Sequence, residues 1–152
     1  MSVGIQSFKA IYGYAKNMFD KRKDNHFEDS MKKPLFDGEE TALNVFLHSV
    51  SVLNWASNTI LNPDAKEGDF KLDLDPNTES PLYKELTELF KKAMGSFIEA
   101  RTQIKEDELN KTFKGPFGEL SYENWFGFML HHTIGHIYQA FRLQALYLRH
   151  NI

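Results

Sequence analysis

The longest uninterrupted helical pattern in this 152-residue chain lies near its C-terminus, from about Tyr122 to Arg149. Ser121 precedes it as an N-cap, and no proline interrupts it. At about 1.5 Å per residue, such a helix is ~40 Å long. Its apolar residues recur at helical spacing, which indicates that one face packs against other elements.

Three further helical segments are predicted upstream, each from apolar residues that recur at the helical period. They span roughly residues 7–21, 37–62 and 80–104. Asp37 is expected to cap the second segment, with Glu39 and Glu40 in its first turn. Ser80 is expected to cap the third, with Pro81 at the first helical position.

The stretches between these segments lack helical periodicity. Residues 22–34 are polar and basic, residues 64–78 are acidic and contain Pro76, and residues 105–120 contain Gly115-Pro116. Nothing in the chain resembles a succession of strands. Four helices of about 15 to 28 residues with two longer connections predict an all-α four-helix bundle, formed by a single domain over residues 1–152.

Composition narrows the chemistry open to such a fold. The chain has no cysteine, which excludes disulfides, thiolate metal sites and a thiol nucleophile. Its net charge is only −3 and no basic stripe is visible, so no nucleic-acid partner is implied. No signal peptide and no run of ~20 apolar residues is visible, so we expect a cytoplasmic protein without a membrane partner.

The C-terminal helix carries two histidines, His132 and His136, four residues apart. This spacing places both rings on one helix face about 6 Å apart, close enough to share a metal ion. Along this face Trp125 is apolar, the patch from His132 to Gln139 is polar, and Leu143 is apolar again. The polar patch is therefore local. Gly135 either leaves room beside the rings for a metal or ligand, or permits close packing of another helix.

A third histidine, His48, lies in the middle of the second predicted helix. Taken alone, it is either a core histidine bonded to a neighbour or a ligand. Together with His132 and His136 it would form a three-nitrogen site with an open position, the arrangement of catalytic zinc. The other histidines are expected at the surface or in packing roles: His26, His131 and His150.

Other sources of catalytic chemistry find little support. The chain has no Gly-x-Ser-x-Gly turn for a nucleophilic serine and no glycine-rich loop for phosphate. The acidic residues between Asp64 and Asp75 are expected to form a solvated loop, because their spacing does not fit a calcium-binding loop. Tyr12 and Trp55 are expected to form walls of a pocket near the histidines.

The C-terminal region also carries a family resemblance. Residues 115–125 read GPFGELSYENW, and His132-x-x-x-His136-x-x-Gln139 follows them. Both stretches resemble the DinB-like (YfiT-like) superfamily of small bacterial four-helix-bundle proteins, most strongly over residues 114–143. Gly135 departs from the family pattern, since many relatives carry another histidine there.

The resemblance implies a divalent metal ion, often zinc or nickel, bound by His48, His132 and His136. Gln139 would orient a ligand or support a histidine, and a homodimer is expected. The expected function is a metal-dependent enzyme that activates water or a low-molecular-weight thiol cosubstrate for hydrolysis or thiol transfer. The alternatives are a non-catalytic, stress-related binding protein with a vestigial site, and a helical protein whose core histidines bind no metal.

Overall fold

A computed structural model describes most of the chain: Gln6, Lys9, Ala10, and residues 12–14, 16–17, 26–115 and 117–151. The chain is mostly helical, which confirms the all-α class. The helices are α1 (Phe27–Lys32), α2 (Ala42–Leu61), α3 (Leu82–Gln103) and α4 (Tyr122–Asn151), and the described residues between 6 and 17 form an N-terminal helical segment. Short 3₁₀ turns lie at Glu67–Phe70 and Glu106–Glu108, and a hairpin pairs β1 (Thr112–Gly115) with β2 (Gly118–Ser121).

Helix α2 lies at the centre of the fold and packs against both α3 and α4. The hydroxyl of Ser49 donates to the carbonyl of Thr133 at 3.3 Å, and the indole N–H of Trp125 donates to the carbonyl of Ala56 at 3.0 Å. Residue numbers rise along α2 as they fall along α4, so the two helices are antiparallel. His48 is thereby placed opposite the middle of α4.

A core of large apolar side chains lies between these helices. Trp125, Phe46, Phe90, Phe97 and Leu53 are all nearly inaccessible to solvent. Burying each such side chain contributes about 1.5–3 kcal/mol to the stability of the fold. Because this core stabilises the packing of the helices, they can carry polar residues on another face. No helix in the described part of the chain is long and apolar enough to cross a membrane.

The predicted helix starts are partly wrong. Helix α2 is capped by Thr41, whose hydroxyl accepts the N–H of Asn44 at 3.0 Å, and not by Asp37. Asp37 lies in a turn with Gly38, whose φ of 85° is incompatible with an α-helix. The N-cap of α3 is Pro81, one residue later than predicted.

The other ends follow the sequence more closely. The end of α2, predicted at residue 62, is confirmed, since the helix ends at Leu61 with Asn62 as its C-cap. The hydroxyl of Ser121 accepts the N–H of Asn124 at the start of α4, as a capping serine should. The described N-terminal residues are helical, as their periodicity predicts. The predicted end of that helix at Lys21 lies outside the described residues.

All three predicted irregular stretches contain more structure than expected. Residues 22–34 include helix α1, whose Phe27 and Met31 enter the core. Residues 64–78 are not simply a solvated loop, because Leu72 is buried. The hydroxyl of Ser51 accepts the N–H of Leu72 at 2.9 Å and donates to its carbonyl at 3.0 Å, so the connection is attached to α2.

The third stretch contains the hairpin, which the sequence did not reveal. Phe113 pairs with Leu120, and Gly118 adopts a φ of 103° just after the turn. Phe117 lies at the turn and packs against Phe128 of α4 and Trp55 of α2, with ring centroids 5.2 and 6.0 Å away. The hairpin therefore covers one end of the α2–α4 pair with aromatic rings.

Candidate metal centre

The three predicted histidines meet on the surface where α2 faces α4. His132 and His136 lie one turn apart on α4, and His48 reaches them from α2. The ring centroids are 4.5 Å apart for His132–His136, 4.9 Å for His48–His136 and 5.3 Å for His48–His132. The bond between Ser49 and Thr133 fixes the two helices beside this cluster.

The nitrogen atoms of this cluster are close enough to hold one metal ion. One nitrogen from each ring lies within 4.8 Å of the other two. Nitrogens bound tetrahedrally to one zinc ion lie about 3.4 Å apart, since each Zn–N bond is about 2.1 Å long. Small rotations of the histidine side chains can bring the three nitrogens to this shorter separation. Among the described residues the cluster contains histidines alone, so three nitrogens would leave one position open on a tetrahedral ion.

The electrostatic environment keeps His132 in its metal-binding form. Burial, together with the neighbouring His136 and His48, lowers the pKa of His132 from 6.5 to about 4, and burial is the largest cause. Its imidazole is therefore neutral at pH 7. A neutral ring has a free nitrogen lone pair, which is what a divalent cation needs.

An unsatisfied buried atom points to the same chemistry. Nδ1 of His132 is buried and has no hydrogen-bond partner among the described residues. Leaving a buried polar atom unpaired costs about 1–3 kcal/mol. A bound ion coordinated by Nδ1 would offset part of that cost, so the donor set fits a divalent metal ion.

Gln139 lies beside His136 on α4. Its amide oxygen lies 3.0 Å from Nδ1 of His136. An amide oxygen only accepts, so this contact places the imidazole proton on Nδ1 and leaves Nε2 free. Metal-binding histidines commonly donate their second N–H to such an acceptor, which fixes the ring and its tautomer.

The cluster is open to solvent on the side of His48, the most exposed of the three histidines. His48 is therefore exposed and is not a core histidine. Its ring also forms part of the wall of a groove of about 470 Å³ between α2 and the connection that follows it. Lys71 and Asp73 line the opposite side of this groove.

Other predicted residues fall in different places. A Cβ atom added to Gly135 would meet nothing within 4 Å, so this glycine does not permit a close helix contact. His131 is exposed and bonds the carbonyl of Gly127 at 2.8 Å, away from the cluster. His26 and His150 are also exposed.

The two residues expected to form pocket walls do not line the groove. Tyr12 packs on Phe90 of α3, with ring centroids 5.7 Å apart. Trp55 lies two turns beyond His48 on α2 and packs on Phe117. Sequence reasoning missed Lys71 and Asp73, because the acidic connection has no motif that shows which helix it packs against.

Searches of protein-family models and of curated proteins found no match to this chain. The geometry of the histidine cluster and its surroundings is therefore the basis for inferring a function.

Proposed function

We propose that this chain is a metal-dependent enzyme in which His48, His132 and His136 hold a divalent ion, zinc or nickel. The observation that carries the proposal is the meeting of three histidine nitrogens within 4.8 Å. Two helices far apart in sequence supply them. When bound, the ion would lower the pKa of a water or of a low-molecular-weight thiol and so supply a nucleophile at neutral pH for hydrolysis or thiol transfer.

Residues of the chain would position the metal ligands and leave the ion accessible to a small molecule. Gln139 holds the ring of His136 through Nδ1, and the contact between Ser49 and Thr133 holds α2 against α4. His48 leaves one side of the cluster accessible to a small molecule. Three nitrogen ligands and an accessible fourth position favour an activating role over a purely structural one, because structural zinc sites are closed by four protein ligands.

Membership of the DinB-like superfamily, a four-helix bundle and a homodimer belong to the same proposal. The N-terminal helical segment supports the bundle, since Tyr12 contacts Phe90 of α3 and Tyr14 contacts Tyr138 of α4. This segment and α2 thus each contact both α3 and α4, as opposite corners of a four-helix bundle do.

Cobalt(II) replacement tests the activating role, because its visible spectrum reports the ligands of a site built for zinc. We expect the cobalt-loaded protein to change spectrum as the pH is raised through the ionisation of a bound water. Adding 2-mercaptoethanol should produce a sulfur-to-cobalt charge-transfer band, and His131→Ala should behave like the native protein. Bound cobalt whose spectrum neither pH nor thiol alters would contradict the proposal and favour a vestigial site.

A further inference from the structure

The groove beside the metal centre has one wall on α2 and one on the connection after it. Asn44, His48 and Ser51 lie one turn apart on the same face of α2, and Gly68, Lys71 and Asp73 face them. His48 is thus shared between the groove and the histidine cluster. At about 470 Å³, the groove falls within the range of sites for small ligands.

The wall formed by the connection is fixed in place. Ser51 makes two hydrogen bonds to the backbone of Leu72, and the side-chain amide of Asn54 donates to the carbonyl of Phe70 at 2.9 Å. The side chain of Leu72 is buried, while Lys71 and Asp73 on either side of it are exposed at the groove. The two charged groups are therefore held beside His48 by the backbone that carries them.

These charged groups form one pair of opposite sign. Lys71 Nζ lies 3.0 Å from a carboxylate oxygen of Asp73. The hydrogen bond from Lys71 and a second from the N–H of Leu74 lower the pKa of Asp73, which keeps it ionised. An ion pair this exposed contributes little to folding, so a ligand can separate its members at low cost.

We propose that this groove binds the body of a small zwitterion of amino-acid or short-peptide chemistry, with its carboxylate on Lys71 and its ammonium group on Asp73. A simple anion would gain from Lys71 but be repelled by Asp73, and a simple cation would meet the reverse. A molecule with both charges can satisfy both groups. The inference rests on the proposed function in one respect, since it makes the ligand lie beside the proposed metal.

Peptides with capped ends test this assignment on the zinc-loaded protein. Triglycine carries both charges, acetyl-triglycine lacks the ammonium group, and triglycine amide lacks the carboxylate. We expect triglycine to shift the amide NMR signals of Asn44 and Ser51 saturably, and to bind at least about fivefold more tightly than either capped peptide. Lys71→Gln should remove the preference over the amide, and Asp73→Asn the preference over the acetylated form.

The matched control is Lys91→Gln, which breaks an exposed ion pair with Glu88 on α3 and should leave the binding of all three peptides unchanged. Equal binding of capped and uncapped peptides, or no saturable shift at the groove, would overturn the proposal. The zinc content of the same samples is measured separately, and the titration is repeated without metal. The preference for both charges should persist there, so a failure of the metal site and a failure of the groove give different results.

Discussion

His132 is the residue whose surroundings leave it the fewest alternatives. Its ring contacts both His48 and His136, its Nδ1 is buried without a partner among the described residues, and its pKa is lowered to about 4. A protonated ring at this position would face two other imidazoles with little water to solvate it. The site thus disfavours a proton at His132, and its three neutral imidazoles could coordinate a metal ion.

This environment predicts how the metal-free protein responds to acid. The unfolded chain binds a proton at His132 near pH 6.5, whereas the folded chain does so only near pH 4. The contribution of His132 to the free energy of unfolding is therefore fully present above pH 6.5 and is lost as the pH falls toward 4. Urea denaturation at fixed ionic strength should show a shallower pH dependence in this window for His132→Gln than for the native protein.

The control for this experiment is His131→Gln, because His131 is exposed and lies outside the cluster. It should retain the native pH dependence. If His132→Gln and the native protein lost stability in parallel between pH 6.5 and 4, the burial of this ring would not have the effect described.

Gly135 gives a second prediction at the residue scale. A Cβ at this position meets nothing within 4 Å, and the residue lies inside a helix. Replacing it with alanine should raise the free energy of unfolding by about 0.5–1 kcal/mol, because alanine loses less backbone entropy on folding. Gly95→Ala, at an equally open and exposed position in α3, should have a similar effect. A destabilised Gly135→Ala protein in urea denaturation would show that another group approaches this position closely.

At the scale of single elements, the N-cap of α2 in the structure differs from the one that the sequence predicted. Thr41→Ala removes the side chain that accepts the N–H of Asn44, so it should lower the free energy of unfolding by about 1 kcal/mol. Thr41→Ser keeps the acceptor and should restore most of that stability. Asp37→Ala should have little effect, since Asp37 lies outside the helix. Chemical denaturation of the three variants checks this, and the reverse order for Thr41→Ala and Asp37→Ala would place the cap at Asp37.

The elements that the sequence revealed are those with long, regular apolar patterns. Helices α3 and α4 and the end of α2 could be predicted to within about two residues, and the spacing of His132 and His136 indicated their shared face. Helix α1 is only six residues long, so Phe27 and Met31 give a single apolar repeat that a polar background conceals. The hairpin has only four residues in each strand, too few to show a periodic pattern in the sequence, so its glycines indicated a turn but not the strands.

The groove could not be predicted because it depends on packing between distant segments. Lys71 and Asp73 belong to an acidic connection whose composition is typical of a solvated loop. Its position on α2 depends on Ser51, Asn54 and the burial of Leu72, none of which forms a sequence motif. The place of His48 in the cluster likewise depends on the antiparallel register of α2 and α4, which the residue spacing within each helix could not establish.

At the scale of the whole molecule, the packing of α2 against α4 creates the site. Thr133 lies 84 residues beyond Ser49, yet their hydrogen bond adjoins the three histidines. The core on the other faces of these helices stabilises the arrangement, so the polar cluster need not contribute to stability itself. A metal ion that binds only the folded chain would raise the free energy of unfolding with the logarithm of the ratio of its concentration to its Kd.

The central claim is that these three histidines bind one metal ion, and the metal content of the protein tests it most directly. Protein prepared without a histidine tag should contain close to one zinc or nickel ion per chain. His131→Ala, the neighbouring exposed histidine, should retain that ion, and His132→Ala should lose it. If the native and His132→Ala proteins are both free of metal, and bind added zinc no more tightly than the millimolar range, the account of this site is contradicted.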